Sequence, residues 1–200
     1  MLEKLRVYFI TDPRYGKHEE LAEAALKAGI RAIQLRDKNA SGRELYETAK
    51  RLRKLTYDYD ALLIINDRLD VAMLSEADGV HLGSEDLPYD VARRHFDGII
   101  GVTVRSVEEA VRAERFADYL GAGSVFASRT KEAEVIGLEG LREIVASVSV
   151  PVVAIGGIDE SNAAEVFRAG AFGIAVVSAI AASHDPCRAA KRLLEVANFT

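Results

Sequence analysis

The sequence predicts an α/β protein built as a single (β/α)8 TIM barrel, one domain over residues 1–200. Three observations carry this. Short β-branched runs recur eight times, each followed by an amphipathic stretch. Successive runs begin about 17 to 33 residues apart, the length of right-handed βαβ units. No low-complexity segment or long linker divides the chain. A doubly wound open sheet would share the alternation but generally uses fewer strands. Eight is the barrel's number, and 200 residues is the lower end of its size range.

The strands are expected at "RVYFI" (6–10), "AIQL" (32–35), "LLIIN" (62–66), "GVHL" (79–82), "IIGVT" (99–103), "YLGAG" (119–123), "VVAI" (152–155) and "GIAVV" (173–177). Between them, "HEELAEAALKAG" (18–29) repeats Leu21, Ala24, Ala25 and Ala28 at helical spacing, with Gly29 as the stop signal. Ser41 opens "SGRELYETAKRLRKL" (41–55) as an N-cap, with Leu45, Ala49, Leu52 and Leu55 on one face. Ser106 followed by Glu109 predicts a capping box at "SVEEAVRAERF" (106–116), and "SNAAEVFRAG" (161–170) ends in another glycine.

Composition sets the outer bounds on function. Hydrophobic residues make up 49% and charged residues 28%, an ordinary globular balance. The net charge of −5, from 26 basic and 31 acidic residues, provides no overall cationic field for nucleic acid or anionic lipid. Phosphate binding would therefore have to come from local arrangements. Cys187 is the only cysteine, so no intrachain disulfide can form, and its setting "DPCRAAKR" reads as a structural helix start. No apolar stretch reaches the length of about 18 residues expected of a membrane span. The N-terminus lacks a signal peptide's apolar region and cleavage site, so a cytoplasmic location is expected.

A barrel of this kind places its chemistry at the carboxyl ends of its strands. Those ends carry Thr11-Asp12, Gln34 to Lys38, Asn66-Asp67, His81 with Ser84, Glu85 and Asp86, Thr103, "GSVFASRTK" (123–131), Gly156-Gly157 and Ser178. Nearly every apolar run thus passes into polar groups at the same rim. Asp67 and Asp86 follow strands 3 and 4, which lie about 4.8 Å apart. Two neighbouring carboxylates repel unless a cation or proton intervenes, and a few hard oxygens suit Mg2+. Helix capping by each aspartate is the alternative reading. No His/Cys spacing for zinc is present.

Arg36 and Lys38 alternate around Asp37, so both can project to one side. Lys131 sits in a loop carrying Ser124, Ser128 and Thr130. A forked guanidinium, a point-charge ammonium and hydroxyls together suit a diphosphate. Arg129 and Glu132 read as solvated charges. Gly156 and Gly157 follow strand 7, where such barrels commonly bind phosphate. Among the histidines, His18, His95 and His184 are expected to be exposed, and His81 to be a satisfied strand residue rather than a base. No Ser-His-Asp or Cys-His nucleophile arrangement is visible.

Seven segments in order, "YFITD" (8–12), "IQLRDKN" (33–39), "LLIINDRLDVA" (62–72), "ADGVHLGSEDLP" (77–88), "TK" (130–131), "PVVAIGGI" (151–158) and "GIAVVSAI" (173–180), resemble the thiamine-phosphate synthase family along nearly the whole chain. The resemblance implies a (β/α)8 barrel that joins 4-amino-2-methyl-5-hydroxymethylpyrimidine diphosphate to 4-methyl-5-(2-hydroxyethyl)thiazole phosphate. The products are thiamine phosphate and diphosphate, with Mg2+ as cofactor. It further implies that Gln34, Arg36 and Lys38 contact the pyrimidine diphosphate, with Asn66 beside its leaving group. Asp67 and Asp86 would ligate Mg2+, Ser128, Thr130 and Lys131 would surround the diphosphate and the reacting centre, and Thr103 would be a catalytic and substrate-binding residue. Gly157 and the Val177-Ser178 backbone would hold the thiazole phosphate.

The chain departs from the family pattern at Ser84, where Gln is usual, at Thr103, where Ser is usual, and at Ser124 and Ser128 in the loop after strand 6. Thr103 and Ser128 keep a hydroxyl. A related thiazole tautomerase branch uses a histidine in that loop, where this chain has Ser124. A non-catalytic phosphate-ligand barrel is the other alternative, and it would not need two phosphate sites and a carboxylate pair. Oligomeric state, a homo-oligomer included, is left open by the sequence.

Overall fold

Eight parallel strands close on themselves in sequence order, β1 pairing with both β2 and β8, in a computed structural model that describes residues 1–127 and 134–200. The strands are β1 (Val7–Thr11), β2 (Ala32–Leu35), β3 (Leu62–Asn66), β4 (Gly79–Leu82), β5 (Ile99–Val104), β6 (Tyr119–Ala122), β7 (Val152–Ile155) and β8 (Gly173–Val176). The intervening helices are α1 (His18–Ala28), α2 (Gly42–Asp58), α3 (Leu69–Leu74), α4 (Tyr89–His95), α5 (Val107–Ala113), α6 (Gly137–Ser147) and α7 (Ala163–Arg168). A short α8 (Ser178–Ala181) and the terminal α9 (Pro186–Phe199) follow β8. The predicted (β/α)8 TIM barrel is the observed fold. Arg6, expected in the first strand, instead ends a 3-10 helix (Leu2–Arg6), and the strand runs on to Thr11.

The period-two alternation of strand side chains produces two cores. Inward residues Tyr8, Ile10, Ala32, Leu62, Ile64, Ile99, Tyr119, Val153 and Ala175 fill the barrel, and Leu5 of the 3-10 helix joins them. Their neighbours Phe9, Ile33, Leu35, Leu63, Ile65, Ile100 and Val102 face the helix layer. Being buried on both faces explains why the strands read as continuous apolar runs.

Local signals set the helix ends. Gly29 closes α1 in the left-handed region at φ 115°, its N–H donating to Ala25 and Leu26 carbonyls. Ser41 and Glu44 form a full capping box on α2. At α5 the box is half made: Ser106 Oγ accepts from the Glu109 N–H, while the Glu109 carboxylate accepts from Arg105 N–H instead of Ser106. Cys187 lies in the first turn of α9, behind Pro186 and the capping Asp185, as its structural reading expected.

Two aspartates brace the amino-terminal end of the barrel in the same way. Asp78 Oδ2 accepts from Leu63 N–H at 2.7 Å and pairs with Arg53 at 2.5 Å. Asp118 Oδ2 accepts from Ile100 N–H at 2.8 Å and pairs with Arg93 at 2.5 Å. Each fastens a helix to the strand beside it, well away from the rim where the polar loops gather.

Candidate active site

One cavity at the carboxyl rim is lined by Gln34, Arg36, Lys38, Asn66, Asp67, Asp86, Thr103, Gly157, Val177 and Ser178, which includes every expected site residue among the described residues. Ser128, Thr130 and Lys131, together with Arg129 and Glu132, lie outside the described residues.

The end of β1 supplies an electrostatic anchor. Asp12 is almost fully buried, accepts from the Arg14 backbone N–H at 3.0 Å and pairs with the Arg14 guanidinium at 2.5 Å. Arg14 holds this carboxyl below the usual carboxylate range against the opposing effect of burial. The Arg36 guanidinium lies 3.7 Å from the same carboxylate, so the cavity arginine is steadied from behind.

Across the mouth, Lys38 Nζ is 3.2 Å from Asp67 Oδ2. Asp67 adopts φ 62°, and its N–H donates to the His81 carbonyl at 2.8 Å, tying the loop after β3 to β4. Neither aspartate caps a helix: Arg68 and Pro88 occupy the N-cap positions of α3 and α4. Asp86 instead turns back on its own loop, Oδ2 accepting from Gly83 N–H at 2.6 Å. Burial, and then the adjacent Asp86 carboxylate, raise the Asp67 pKa. The pair is thus an unfilled demand for positive charge that Lys38 meets only in part. No group of three or more His, Cys, Asp or Glu side chains able to hold a metal occurs among the described residues.

The glycines after β7 have a structural reason of their own. Gly156 has φ 103° and Gly157 φ 64°. A Cβ on Gly156 would lie 2.6 Å from Ser124 Cα, and one on Gly157 would lie 2.5 Å from the Ala127 carbonyl oxygen. The loop after β6, with a cis Gly123–Ser124 peptide, lies directly on them, with Val125 and Phe126 N–H groups donating to Ile155 and Gly156 carbonyls. Ser124 Oγ donates to the Phe126 carbonyl at 2.6 Å, within its own loop.

Beneath the mouth lies a polar chain that the sequence reading missed. Thr103 Oγ1 is 2.9 Å from His81 Nε2, and His81 Nδ1 is 2.9 Å from the Tyr119 hydroxyl. The Tyr119 hydroxyl donates to that of Tyr8 at 3.2 Å, and Gln34 Nε2 donates to Tyr8 at 2.7 Å. In the sheet register Gly101 stands between His81 and Tyr119, so the two side chains meet over a residue with no Cβ. Burial lowers the His81 pKa to about 4 and raises those of both tyrosines. The ring is neutral and both phenols keep their protons at pH 7. His81 is therefore the satisfied strand residue expected. Glycines within "IIGVT" and "YLGAG" were the available sign of a close approach.

His18 is a correction. Expected to be exposed, it is buried, with Nδ1 2.7 Å from Thr11 Oγ1 and Nε2 3.5 Å from Asp37 Oδ2. Its partners come from two other strand ends, which no local pattern reveals. His95 and His184 are exposed. No helix among the described residues is long and apolar enough to cross a membrane.

A model of the thiamine monophosphate synthase family matches residues 7–180. A thiamine-phosphate synthase of Archaeoglobus fulgidus is 60% identical over 195 residues, covering 96% of this chain and 93% of its own length. That of Pyrococcus furiosus is 54% identical over 196 residues, covering 96% and 95%. A solved structure of thiamine phosphate pyrophosphorylase from Pyrococcus furiosus superposes with a TM-score of 0.95 at 51% identity, over 98% of this chain and 97% of that one. With a matching barrel and near end-to-end similarity, the chain belongs to the thiamine monophosphate synthase family.

Proposed function

We propose that this barrel couples 4-amino-2-methyl-5-hydroxymethylpyrimidine diphosphate to 4-methyl-5-(2-hydroxyethyl)thiazole phosphate, forming thiamine phosphate and diphosphate. The single observation that carries this reading is the common cavity: Arg36 and Lys38, the Asp67–Asp86 carboxylate pair, the Gln34 and Asn66 amides and the Thr103 hydroxyl converge at one mouth from the ends of four neighbouring strands, β2 to β5. Such a set matches a diphosphate leaving group and a polar heteroaromatic ring.

The fit to Mg2+ rests on the donor chemistry. Asp67 and Asp86 are hard oxygen ligands, and their mutual repulsion in a half-buried setting is relieved by a divalent cation. Asp67 and Asp86 would hold the ion, which would supply positive charge beside the departing diphosphate.

The chain's own groups account for the rest. Arg36 and Lys38 bind the diphosphate, with Asn66 beside it, and Arg36 is held in place by Asp12. Gln34 and Thr103 orient the pyrimidine. Ser128, Thr130 and Lys131 complete the reacting centre, and Gly157 with the Val177-Ser178 backbone holds the thiazole phosphate. The methylene carbon–oxygen bond breaks with its electron pair leaving on diphosphate, and the aminopyrimidine delocalises the positive charge left on the methylene. The thiazole nitrogen lone pair then forms the new carbon–nitrogen bond. No proton need be moved, so catalysis is positioning and charge stabilisation. A cytoplasmic location accords with a lone cysteine and diffusible substrates.

The test is to supply both substrates with and without Mg2+ and measure released diphosphate. Release that needs both substrates and Mg2+ is expected. Isomerisation of the thiazole phosphate alone, or binding without turnover, would overturn the reading.

A further inference from the structure

Arg105 lines the cavity, and no step of the proposed reaction uses it. It follows β5 directly, where the two-residue period of the strand sets its direction. Ile99, Gly101 and Thr103 face the barrel interior, whereas Val102 and Val104 face the helix layer. Arg105 is the next residue of the inward series and stands half-buried at the mouth. Its backbone is fixed by Glu109, whose carboxylate accepts from the Arg105 N–H at 2.6 Å. The neighbouring chain just past β6 is Gly123, whose N–H donates to the Val104 carbonyl at 3.2 Å and which has no side chain to crowd the arginine.

The other two cations of the cavity already lean on carboxylates, Arg36 on Asp12 at 3.7 Å and Lys38 on Asp67 at 3.2 Å. The Arg105 guanidinium makes no ion pair or hydrogen bond among the described residues. An unpaired fork of N–H donors at the mouth of a cavity is suited to an oxyanion. The order of the strands points to which one. Arg36 and Lys38 follow β2, Asp67 follows β3, Asp86 follows β4 and Arg105 follows β5. The carboxylate pair therefore has cations on both flanks. Gly157 and the Val177-Ser178 backbone, assigned to the thiazole phosphate, stand apart at the ends of β7 and β8. We propose that Arg105 is a further substrate-binding residue, taking the diphosphate from the β5 side while Arg36 and Lys38 hold it from β2. A guanidinium there donates two parallel N–H bonds to phosphoryl oxygens and meets the charge that grows on the leaving group from the flank the other two cations do not cover.

The inference rests on the proposed reaction, and a binding measurement keeps the two claims separable. Inorganic diphosphate is titrated by calorimetry, with Mg2+ present, into the wild type, Arg105→Met and Arg105→Lys. Arg105→Met keeps the backbone N–H that Glu109 holds, and it is expected to weaken diphosphate binding by about tenfold or more. Arg105→Lys retains a point charge without the fork and should recover only part of that loss. Unchanged affinity in folded Arg105→Met would overturn the inference, as a solvated surface charge predicts, and so would a wild type with no affinity for diphosphate. Steady-state kinetics then separate the two substrates. In Arg105→Met, KM for the pyrimidine diphosphate should rise while KM for the thiazole phosphate changes little. A rise confined to the thiazole phosphate would overturn the assignment. A wild type that binds inorganic diphosphate yet forms no thiamine phosphate would overturn the functional reading instead, and the affinity of the Arg105 variants would still decide this inference. Should Arg105→Met fail to fold, Arg105→Lys decides, wild-type affinity in that variant counting against the forked contact.

Discussion

Replacing Gly101 with alanine is expected to break the floor of the site and much of the barrel's stability with it. The added methyl would stand inside van der Waals contact of Tyr119 Cζ and Oη and 2.5 Å from His81 Nδ1. Tyr119 cannot swing aside, being fully buried against Tyr8. Overpacking of this kind costs about 1–3 kcal/mol, and the lost His81–Tyr119 bond leaves buried polar atoms unpaired at about 1–3 kcal/mol. A total of about 3 kcal/mol corresponds to a fall in Tm of roughly 6–12 °C for a chain of this size. Gly137→Ala is the internal control: unlike Gly101 it sits at positive φ, 68°, but its Cβ would meet nothing within 4 Å. It should cost only about 1 kcal/mol, or roughly 2–4 °C. Thermal and urea denaturation of the two variants beside the wild type make the comparison. If Gly101→Ala is no less stable than Gly137→Ala, the crowding argument is wrong.

Three further outcomes follow from the same geometry. Asp118→Ala removes the acceptor of Ile100 N–H and the partner of Arg93, and should cost about 2 kcal/mol by urea unfolding while kcat of the folded fraction stays the same. Asp67→Asn should raise Tm in EDTA near pH 7, because a carboxyl whose folded pKa is raised contributes stability at low pH and loses it as pH rises through that value. The advantage over wild type should shrink as pH falls toward 4, and added Mg2+ should raise Tm of the wild type only. Asp12 works with the opposite sign. Its pKa is held down chiefly by Arg14, so its contribution is present above the ordinary carboxylate value of 3.8 and is lost as pH falls below it. Wild type should therefore lose stability relative to Asp12→Asn in that acid window, and equal slopes for the two would count against the anchor.

Much of this arrangement was readable from the residues alone, for identifiable reasons. Parallel strands buried on both faces write themselves as β-branched runs, so the eight strands stood out with ends displaced by only a residue or two. Barrel chemistry gathers at one rim, so Gln34, Arg36, Lys38, Asn66, Asp67, Asp86 and Thr103 could be selected by position before any geometry was known. What stayed hidden depends on register. The bond between His81 and Tyr119 skips a strand and needs Gly101 between them, a relation of three runs spread over 38 positions. His18 is buried because Thr11 and Asp37, from two other segments, close around it. Gly156 and Gly157 were expected as an approach for phosphate, and the structure adds that the loop after β6 already presses against both.

The most direct test of the account is product formation at saturating Mg2+, with thiamine phosphate and diphosphate separated and quantified by chromatography. Wild-type protein should release the two in equal amounts. Lys131→Ala and Asp67→Asn should each lower the rate by about a hundredfold. Thiamine phosphate formed at the wild-type rate by either variant would contradict the account, as would its absence from a folded wild-type protein given both substrates.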